Sequence, residues 1–150
     1  MRILVDTHVW LWWLMAPEKI APEPLALLED PGNTLYLSAA SVWEIVIKHA
    51  AGRLRLPAPP DAFIPSRMAR DGFTGLAIEH AHVLQVANLP PHHRDPFDRI
   101  LVAQAQVERL PVMTADAQFD AYPVSVIPAR CTRPSCRPPS QLPAFEARPQ

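Results

Sequence analysis

The chain has 150 residues, of which 49% are apolar and 19% are charged, a composition typical of one folded domain that needs no disulfides. Its longest apolar run is eight residues, 9–16, and no secretory signal precedes it, so we expect a cytoplasmic protein with no membrane span. Residues 1–128 carry 10 Lys and Arg against 14 Asp and Glu, a net charge of −4 that excludes a general electrostatic binder of nucleic acid.

Strands and helices alternate along the predicted secondary structure. The first half is predicted to contain a strand at 2–5, helices at 7–15 and 22–29, a strand at 35–37 and a helix at 38–51. The second half is predicted to contain a helix at 62–70, a weak strand at 73–78, helices at 79–87 and 96–109, strands at 110–113 and 124–127, and a helical turn at 116–121. This alternation predicts a three-layer α/β/α domain with a mostly parallel central sheet, whose ligands bind at the carboxyl ends of the strands.

The last 22 residues differ in composition from the rest. Residues 129–150 are rich in Pro, Arg, Ser and Gln, and their four Arg and one Glu give a net charge of +3. Such a segment buries too little apolar surface to offset its ordering entropy. We therefore divide the chain into a domain at 1–128 and a disordered tail at 129–150.

Four carboxylates stand at predicted strand ends or near helix starts. They are Asp6, Glu44, Asp98 and Asp116. Taken singly, three of them have a structural explanation, because Asp favours helix N-caps and an acid in a first turn stabilises the helix dipole. Taken together, they are placed to converge on one edge of the sheet, where they would repel one another without a cation. Mg²⁺ prefers such oxygen ligands and supports phosphodiester chemistry.

Glu44 has the strongest alternative explanation of the four. It lies four residues before Lys48 on one helix, the spacing of a solvated ion pair. The remaining side chains of that helix are largely apolar, so the narrow polar stripe of Ser41, Glu44 and Lys48 also fits a nearly enclosed helix whose stripe faces a cleft.

Four segments together resemble the PIN-domain family, and more closely the VapC-type toxins of bacterial toxin–antitoxin pairs. The segments are Val5-Asp6-Thr7-His8, residues 38–45, residues 93–101 with Asp95-Pro-Phe-Asp98-Arg99, and Thr114-Ala-Asp116. The resemblance covers about residues 1–128 and implies an endoribonuclease dependent on Mg²⁺ or Mn²⁺. It also implies a cognate antitoxin, an RNA substrate and a toxin homodimer.

The same resemblance implies roles for particular residues. The family's acidic site matches Asp6, Glu44, Asp98 and Asp116, which would be both metal ligands and catalytic residues. Thr7 and Thr114 match supporting positions. In the local motif we assign Asp95 as a helix cap and Arg99 as a contact to a phosphate or carboxylate.

Two other functions remain open at this point. Aspartyl-phosphate enzymes also have an Asp directly after the first strand. They normally have a second Asp two residues later, where this chain has His8. A metal-dependent phosphohydrolase is therefore disfavoured, and a non-catalytic module that acts through partners is the second alternative.

Histidines, cysteines and tryptophans have mainly structural interpretations. The pairs His80/His82 and His92/His93 lack zinc-motif spacing and are expected at caps or on the surface. Cys131 and Cys136 form no second pair and are expected to be free thiols. The three tryptophans at 10, 12 and 13 are expected in the core, with a partner interface as the alternative.

Overall fold

A single five-stranded parallel sheet forms the centre of the domain. The computed structural model describes residues 1–130, and the predicted cysteine and tail properties of residues 131–150 lie outside them. The strands are β1 Arg2–Val5, β2 Thr34–Ser38, β3 Phe73–Leu76, β4 Val112–Thr114 and β5 Val126–Pro128. Their order is β3-β2-β1-β4-β5, and every neighbouring pair is parallel.

Helices connect the strands at nearly the predicted positions. They are α1 Thr7–Met15, α2 Pro22–Glu29, α3 Ala39–Ala50, α4 Pro60–Asp71, α5 His80–Val86 and α6 Pro96–Glu108, with 3-10 helices at Pro17–Lys19 and Ala117–Ala121. A search of residues 1–130 finds no helix long and apolar enough to cross a bilayer.

Alternating side chains of β1 separate two apolar layers. Ile3 and Val5 pack in a cluster with residues of α1, α2, α3 and α4. Leu4 points to the opposite face, as strand geometry requires, and packs with α6 and the second 3-10 helix. Helices therefore cover both faces of the sheet, which confirms the predicted three-layer architecture.

The chain reverses its winding direction at the middle of the sheet. From β1 it proceeds outward through β2 to β3, and β4 then returns to the other side of β1. The carboxyl ends of β1 and β4 consequently flank a crevice, the usual place for a ligand in an open parallel sheet. Asp6 follows β1 directly, and Asp116 lies two residues beyond the end of β4.

The folded domain extends past the predicted boundary at residue 128. Ala129 is fully buried, its N–H donates to the Thr114 carbonyl, and its carbonyl accepts from the Ala21 N–H, both at 2.8 Å. The guanidinium of Arg130 lies 4.7 Å from the ring centre of Trp12. Ala129 therefore belongs to the domain, because its backbone pairs with two separate segments.

Candidate active site

Asp6 is buried at the carboxyl end of β1. Its Oδ2 accepts a hydrogen bond from the Thr114 hydroxyl at 2.8 Å. Asp6 occupies the N-cap position of α1, but its side chain makes no capping bond, so the purely structural explanation fails. Burial raises the pKa of Asp6, as does the charge of Glu44, while the Thr114 hydroxyl and His8 act in the opposite direction.

Thr114 connects Asp6 to the segment that carries Asp116. While its hydroxyl donates to Asp6, its oxygen accepts from the Asp116 N–H at 3.1 Å. Asp116 caps the following 3-10 helix, since its Oδ1 accepts from the Gln118 N–H at 2.9 Å. Its Oδ2 is directed elsewhere, to the ring of His93. The cap explanation therefore accounts for one oxygen of this carboxylate only.

Glu44 projects from α3 toward the cleft and is only 5% exposed. Its Oε1 lies 3.1 Å from Nζ of Lys48, so the ion pair exists but is not fully solvated. One turn earlier, the Ser41 hydroxyl accepts from that of Thr7 at 2.8 Å, which fastens α3 to α1. These contacts place the polar stripe against the interior, as predicted.

The expectation that α3 is nearly enclosed is wrong. Trp43, Val46 and Ile47 are 58%, 42% and 38% exposed. The helix thus buries Ile45 in the core and directs polar side chains to the cleft, while part of its apolar surface stays exposed. The reason is that too few neighbouring elements pack on its outer side, which hydropathy along one helix does not reveal.

Asp98 lies in the first turn of α6, and the charges of other acids affect its pKa. Its pKa is raised to about 7, mainly by burial and then by the charges of Asp6, Asp95 and Glu44, with His93 acting against them. Charges influence one another to this extent only at short range in a poorly solvated place. The structure therefore brings Asp6, Glu44 and Asp98 to the same cleft.

Asp95 and Arg99 have structural contacts. Asp95 caps α6, because its Oδ1 accepts from the Phe97 N–H at 2.8 Å, as predicted. Arg99 does not contact a carboxylate, contrary to one of the two expected contacts. Its guanidinium donates to the carbonyls of Val86, Leu89 and Pro90 at 3.2, 3.4 and 3.0 Å. These carbonyls lie at and after the end of α5, and those of Val86 and Pro90 also accept from the backbone N–H groups of Leu89 and His92.

His93 is a residue of the cleft that the sequence interpretation missed. It was expected at a cap or on the surface, but it is buried, with its Nε2 2.9 Å from Oδ2 of Asp116 and its Nδ1 2.9 Å from the Tyr122 hydroxyl. The one available signal was its place five residues before Asp98. His82 does meet the expectation, since its Nδ1 accepts from the Glu79 N–H at the start of α5.

The residues of the cleft fit a hard divalent cation. One ligand atom each from His93, Asp98 and Asp116 lie within 4.8 Å of one another. Asp6 and Glu44 are buried and act electrostatically on Asp98 from the same cleft. A mainly carboxylate donor set is what Mg²⁺ or Mn²⁺ prefers, and a cation would relieve the repulsion that raises the pKa of Asp98.

Several solved structures share this architecture. The chain matches VapBC2 from Rickettsia felis bound to a promoter DNA fragment with a TM-score of 0.64 and 11% identity, covering 85% of this chain and 98% of that one. It matches FitAcB from Neisseria gonorrhoeae with a TM-score of 0.56 and 24% identity, covering 83% and 96%. Identities this low establish a shared fold alone.

Sequence comparison adds a closer but partial relative. Ribonuclease VapC16 of Mycobacterium tuberculosis is 43% identical over 60 residues, which are 40% of this chain and 43% of that protein. The match thus spans less than half of that relative's length. The family model described as PIN domain matches residues 3–124. Because that model covers most of the chain and the parallel sheet agrees with it, the protein belongs to the PIN domain family.

Proposed function

We propose that this chain is a metal-dependent endoribonuclease, the toxin of a type II toxin–antitoxin pair. The observation that carries the proposal is the gathering of acidic side chains at the crevice between β1 and β4. Asp6, Glu44 and Asp98 act on one another electrostatically, and Asp116 lies beside Asp98. Burying like charges together is costly unless a ligand of opposite charge compensates them.

The proposed catalytic metal ligands are the four acids Asp6, Glu44, Asp98 and Asp116. When bound, Mg²⁺ or Mn²⁺ would polarise a phosphodiester and make a water molecule a better nucleophile. The protein's own contribution is to hold the carboxylates in fixed positions. Thr114 orients Asp6, and the Thr7–Ser41 bond fastens the helix that carries Glu44. Such restraint lowers the reorganisation needed when substrate binds.

RNA is the proposed substrate because the partial relative carries the name ribonuclease. A phosphodiester backbone is also suited to an acidic cleft once a cation occupies it. The proposed location is the cytoplasm, because RNA is accessible there. The competing phosphohydrolase reaction gains no support, since position 8 carries an exposed histidine in place of the second aspartate.

An antitoxin protein and a second copy of the chain are the proposed protein partners. The antitoxin is suggested by solved neighbours that are VapBC complexes. The homodimer is suggested by apolar side chains left exposed on α3 and α5, among them Trp43, Val83 and Leu84. A cavity of about 390 Å³ between these helices and α6 has a mostly apolar lining. Exposed apolar surface of this kind is typical of interaction sites.

The chemistry is tested by incubating the purified protein with total RNA. We expect internal cleavage in the presence of Mg²⁺ or Mn²⁺, loss of cleavage with chelator, and recovery when either metal is restored. Cleavage that persists in excess chelator would contradict metal dependence. Hydrolysis of small phosphomonoesters without RNA cleavage would instead favour the phosphohydrolase, and Mn²⁺ binding without either activity would favour the non-catalytic module.

A further inference from the structure

His93 joins the two ends of the cleft that carry Asp98 and Asp116. It belongs to the loop that enters α6, five residues before Asp98, while its ring reaches Asp116 after β4. The ring stacks on Tyr122 with an interplanar angle of 12° and meets Phe119 edge-on with 5.1 Å between ring centres. Burial between two aromatic rings leaves the imidazole little freedom to turn.

Tyr122 and Asp116 together favour a proton on Nε2 of His93, because a carboxylate can only accept whereas a hydroxyl can also donate. Its hydroxyl oxygen accepts from the backbone N–H of His93 at 3.0 Å. The hydroxyl proton is then free to be donated to Nδ1, 2.9 Å away. With Nδ1 accepting, the proton of the neutral imidazole lies on Nε2, which faces Oδ2 of Asp116 at 2.9 Å. The opposite tautomer would direct a lone pair at a carboxylate.

The Asp116 carboxylate is thereby held at both oxygens. Oδ1 accepts from the Gln118 N–H, and Oδ2 accepts from His93. A carboxylate oxygen has a further lone pair, so both atoms remain able to bind a cation. The bond also ties the loop before α6 to the end of β4, and so it sets the spacing between Asp98 and Asp116.

We propose that the Tyr122–His93 pair is a positioning device for Asp116, and that His93 donates to this acid rather than binding the metal itself. The inference rests on the proposed function, since positioning matters only if Asp116 serves a metal site. Residues that hydrogen-bond a metal ligand typically change metal affinity by ~10–100-fold when they are removed.

The first test is the tautomer in the metal-free protein. ¹⁵N NMR of the full chain at pH 8.5 should give a protonated Nε2 and an unprotonated, hydrogen-bonded Nδ1 for His93. In Tyr122→Phe, which removes only the hydroxyl, the Nδ1 hydrogen bond should vanish. A wild-type ring protonated on Nδ1 alone would overturn the proposal.

The second test is Mn²⁺ binding by titration calorimetry. We expect Tyr122→Phe and His93→Leu to weaken Mn²⁺ binding by ~10–100-fold. His93→Gln, which retains a side-chain N–H, should recover much of the affinity. His80→Leu is the matched control, because it removes an exposed histidine at the start of α5. Circular dichroism checks that every variant is folded. If His93→Leu does not fold, Tyr122→Phe alone provides the test.

Electron spin-echo spectroscopy of the Mn²⁺ form distinguishes donor from ligand. We expect no directly coordinated ¹⁴N, and a strong coupling lost in His93→Gln would identify His93 as a ligand and overturn the proposal. Unchanged Mn²⁺ affinity in both Tyr122→Phe and His93→Leu would overturn it as well. Failure of the wild type to bind Mn²⁺ at all would instead contradict the proposed function, and this inference with it.

Discussion

At the scale of single residues, Thr114 connects two acids of the cleft through one hydroxyl group. Its one hydroxyl donates to Asp6 and accepts from the Asp116 N–H, so it relates two proposed metal ligands from neighbouring strands. Thr114→Val keeps the shape but loses both bonds. We expect RNA cleavage to fall by ~10–100-fold, as for other residues that orient metal ligands.

Thr114→Ser provides the matched control for that substitution. It keeps the hydroxyl but loses a buried methyl, at a cost of about 1 kcal/mol in the free energy of unfolding. We therefore expect the Ser variant to keep more of the cleavage activity than the Val variant, because it keeps both hydrogen bonds. Equal cleavage rates for the Val and Ser variants, measured per folded molecule, would show that the hydroxyl does not matter.

Asp98 should weaken the metal-free fold at alkaline pH. Its pKa is about 7 in the folded chain, against an ordinary value of 3.8. Between these values the folded state binds a proton that the unfolded state lacks, so stability falls as pH rises through this window. Asp98→Asn should therefore stabilise the chelated protein at pH 8, by on the order of 1–2 kcal/mol after solvent screening.

The stabilisation of Asp98→Asn relative to the wild type should decrease as the pH falls toward 4. Urea unfolding with chelator at pH 8 and pH 5 measures it. The control is Asp61→Asn, which alters an exposed acid in the first turn of α4. A destabilised Asp98→Asn at pH 8 would contradict the view that like charges are crowded in the cleft.

The positions of Asp6 and Asp116 could be predicted from sequence, whereas their supporting contacts could be predicted only in part, and metal binding by the four acids stays a prediction. A carboxylate that directly follows a parallel strand must lie at the carboxyl edge of the sheet, which is why Asp6 and Asp116 were placed correctly. His93 depends on Tyr122, 29 residues away, and no local pattern encodes such a bond. The carbonyl contacts of Arg99 were not predicted for the same reason, since they belong to a separate loop, and its contact with a phosphate stays a prediction.

At the scale of elements, α6 is anchored by Arg99 to the segment that precedes it. Three carbonyls at and after the end of α5 accept from this one guanidinium. We expect Arg99→Ala to lower the free energy of unfolding by about 1–3 kcal/mol, as for hydrogen bonds from a charged donor. Chemical denaturation measures this, with Arg53→Ala, at an exposed position, as the control.

The same variant separates a structural role from contact with substrate. If Arg99 only anchors the loop, the salt dependence of RNA binding stays as in the wild type. A phosphate contact would reduce the slope of log affinity against log salt by about 1. That reduction, found without loss of stability, would restore the original assignment of Arg99.

The positions of the helices were predicted well because prolines and capping residues mark where several of them begin. Pro96 begins α6 and Ser38 caps α3 through its side chain, as their types suggest. The orientation of α3 was harder to predict. Its apolar residues are divided between the core, where Ile45 is buried, and the surface, where Trp43 is exposed, and hydropathy does not distinguish the two sets.

At the scale of the whole molecule, the backbone of Ala129 belongs to the folded domain. Ala129 bonds to both Thr114 and Ala21, so a chain ending at residue 128 loses two buried hydrogen bonds that one ending at residue 130 keeps. We expect the shorter chain to be less stable by roughly 1–3 kcal/mol, in proportion to those bonds. Thermal unfolding compares the two chains, and equal stabilities would contradict the extended boundary.

The charge of the molecule is unevenly distributed in a way that matters for its proposed activity. The net −4 of residues 1–128 would repel RNA, yet the acids responsible include the four of the cleft. Binding one or two divalent cations would offset that deficit locally. Residues 131–150, with three Arg and one Glu, remain a predicted tail, and their contribution can be read from cleavage by the chain ending at residue 130 over a range of salt concentrations.

The most direct test of the account compares Asp98→Asn with Asp61→Asn in Mg²⁺-dependent cleavage of total RNA. Both variants remove one acidic charge from the first turn of a helix, so only the location differs. We predict that Asp98→Asn loses at least ~100-fold in rate, beyond the loss typical of a residue that merely supports a metal ligand. Asp61→Asn should cleave at the wild-type rate. Equal rates for the two variants would contradict an acidic, metal-dependent active site in this cleft.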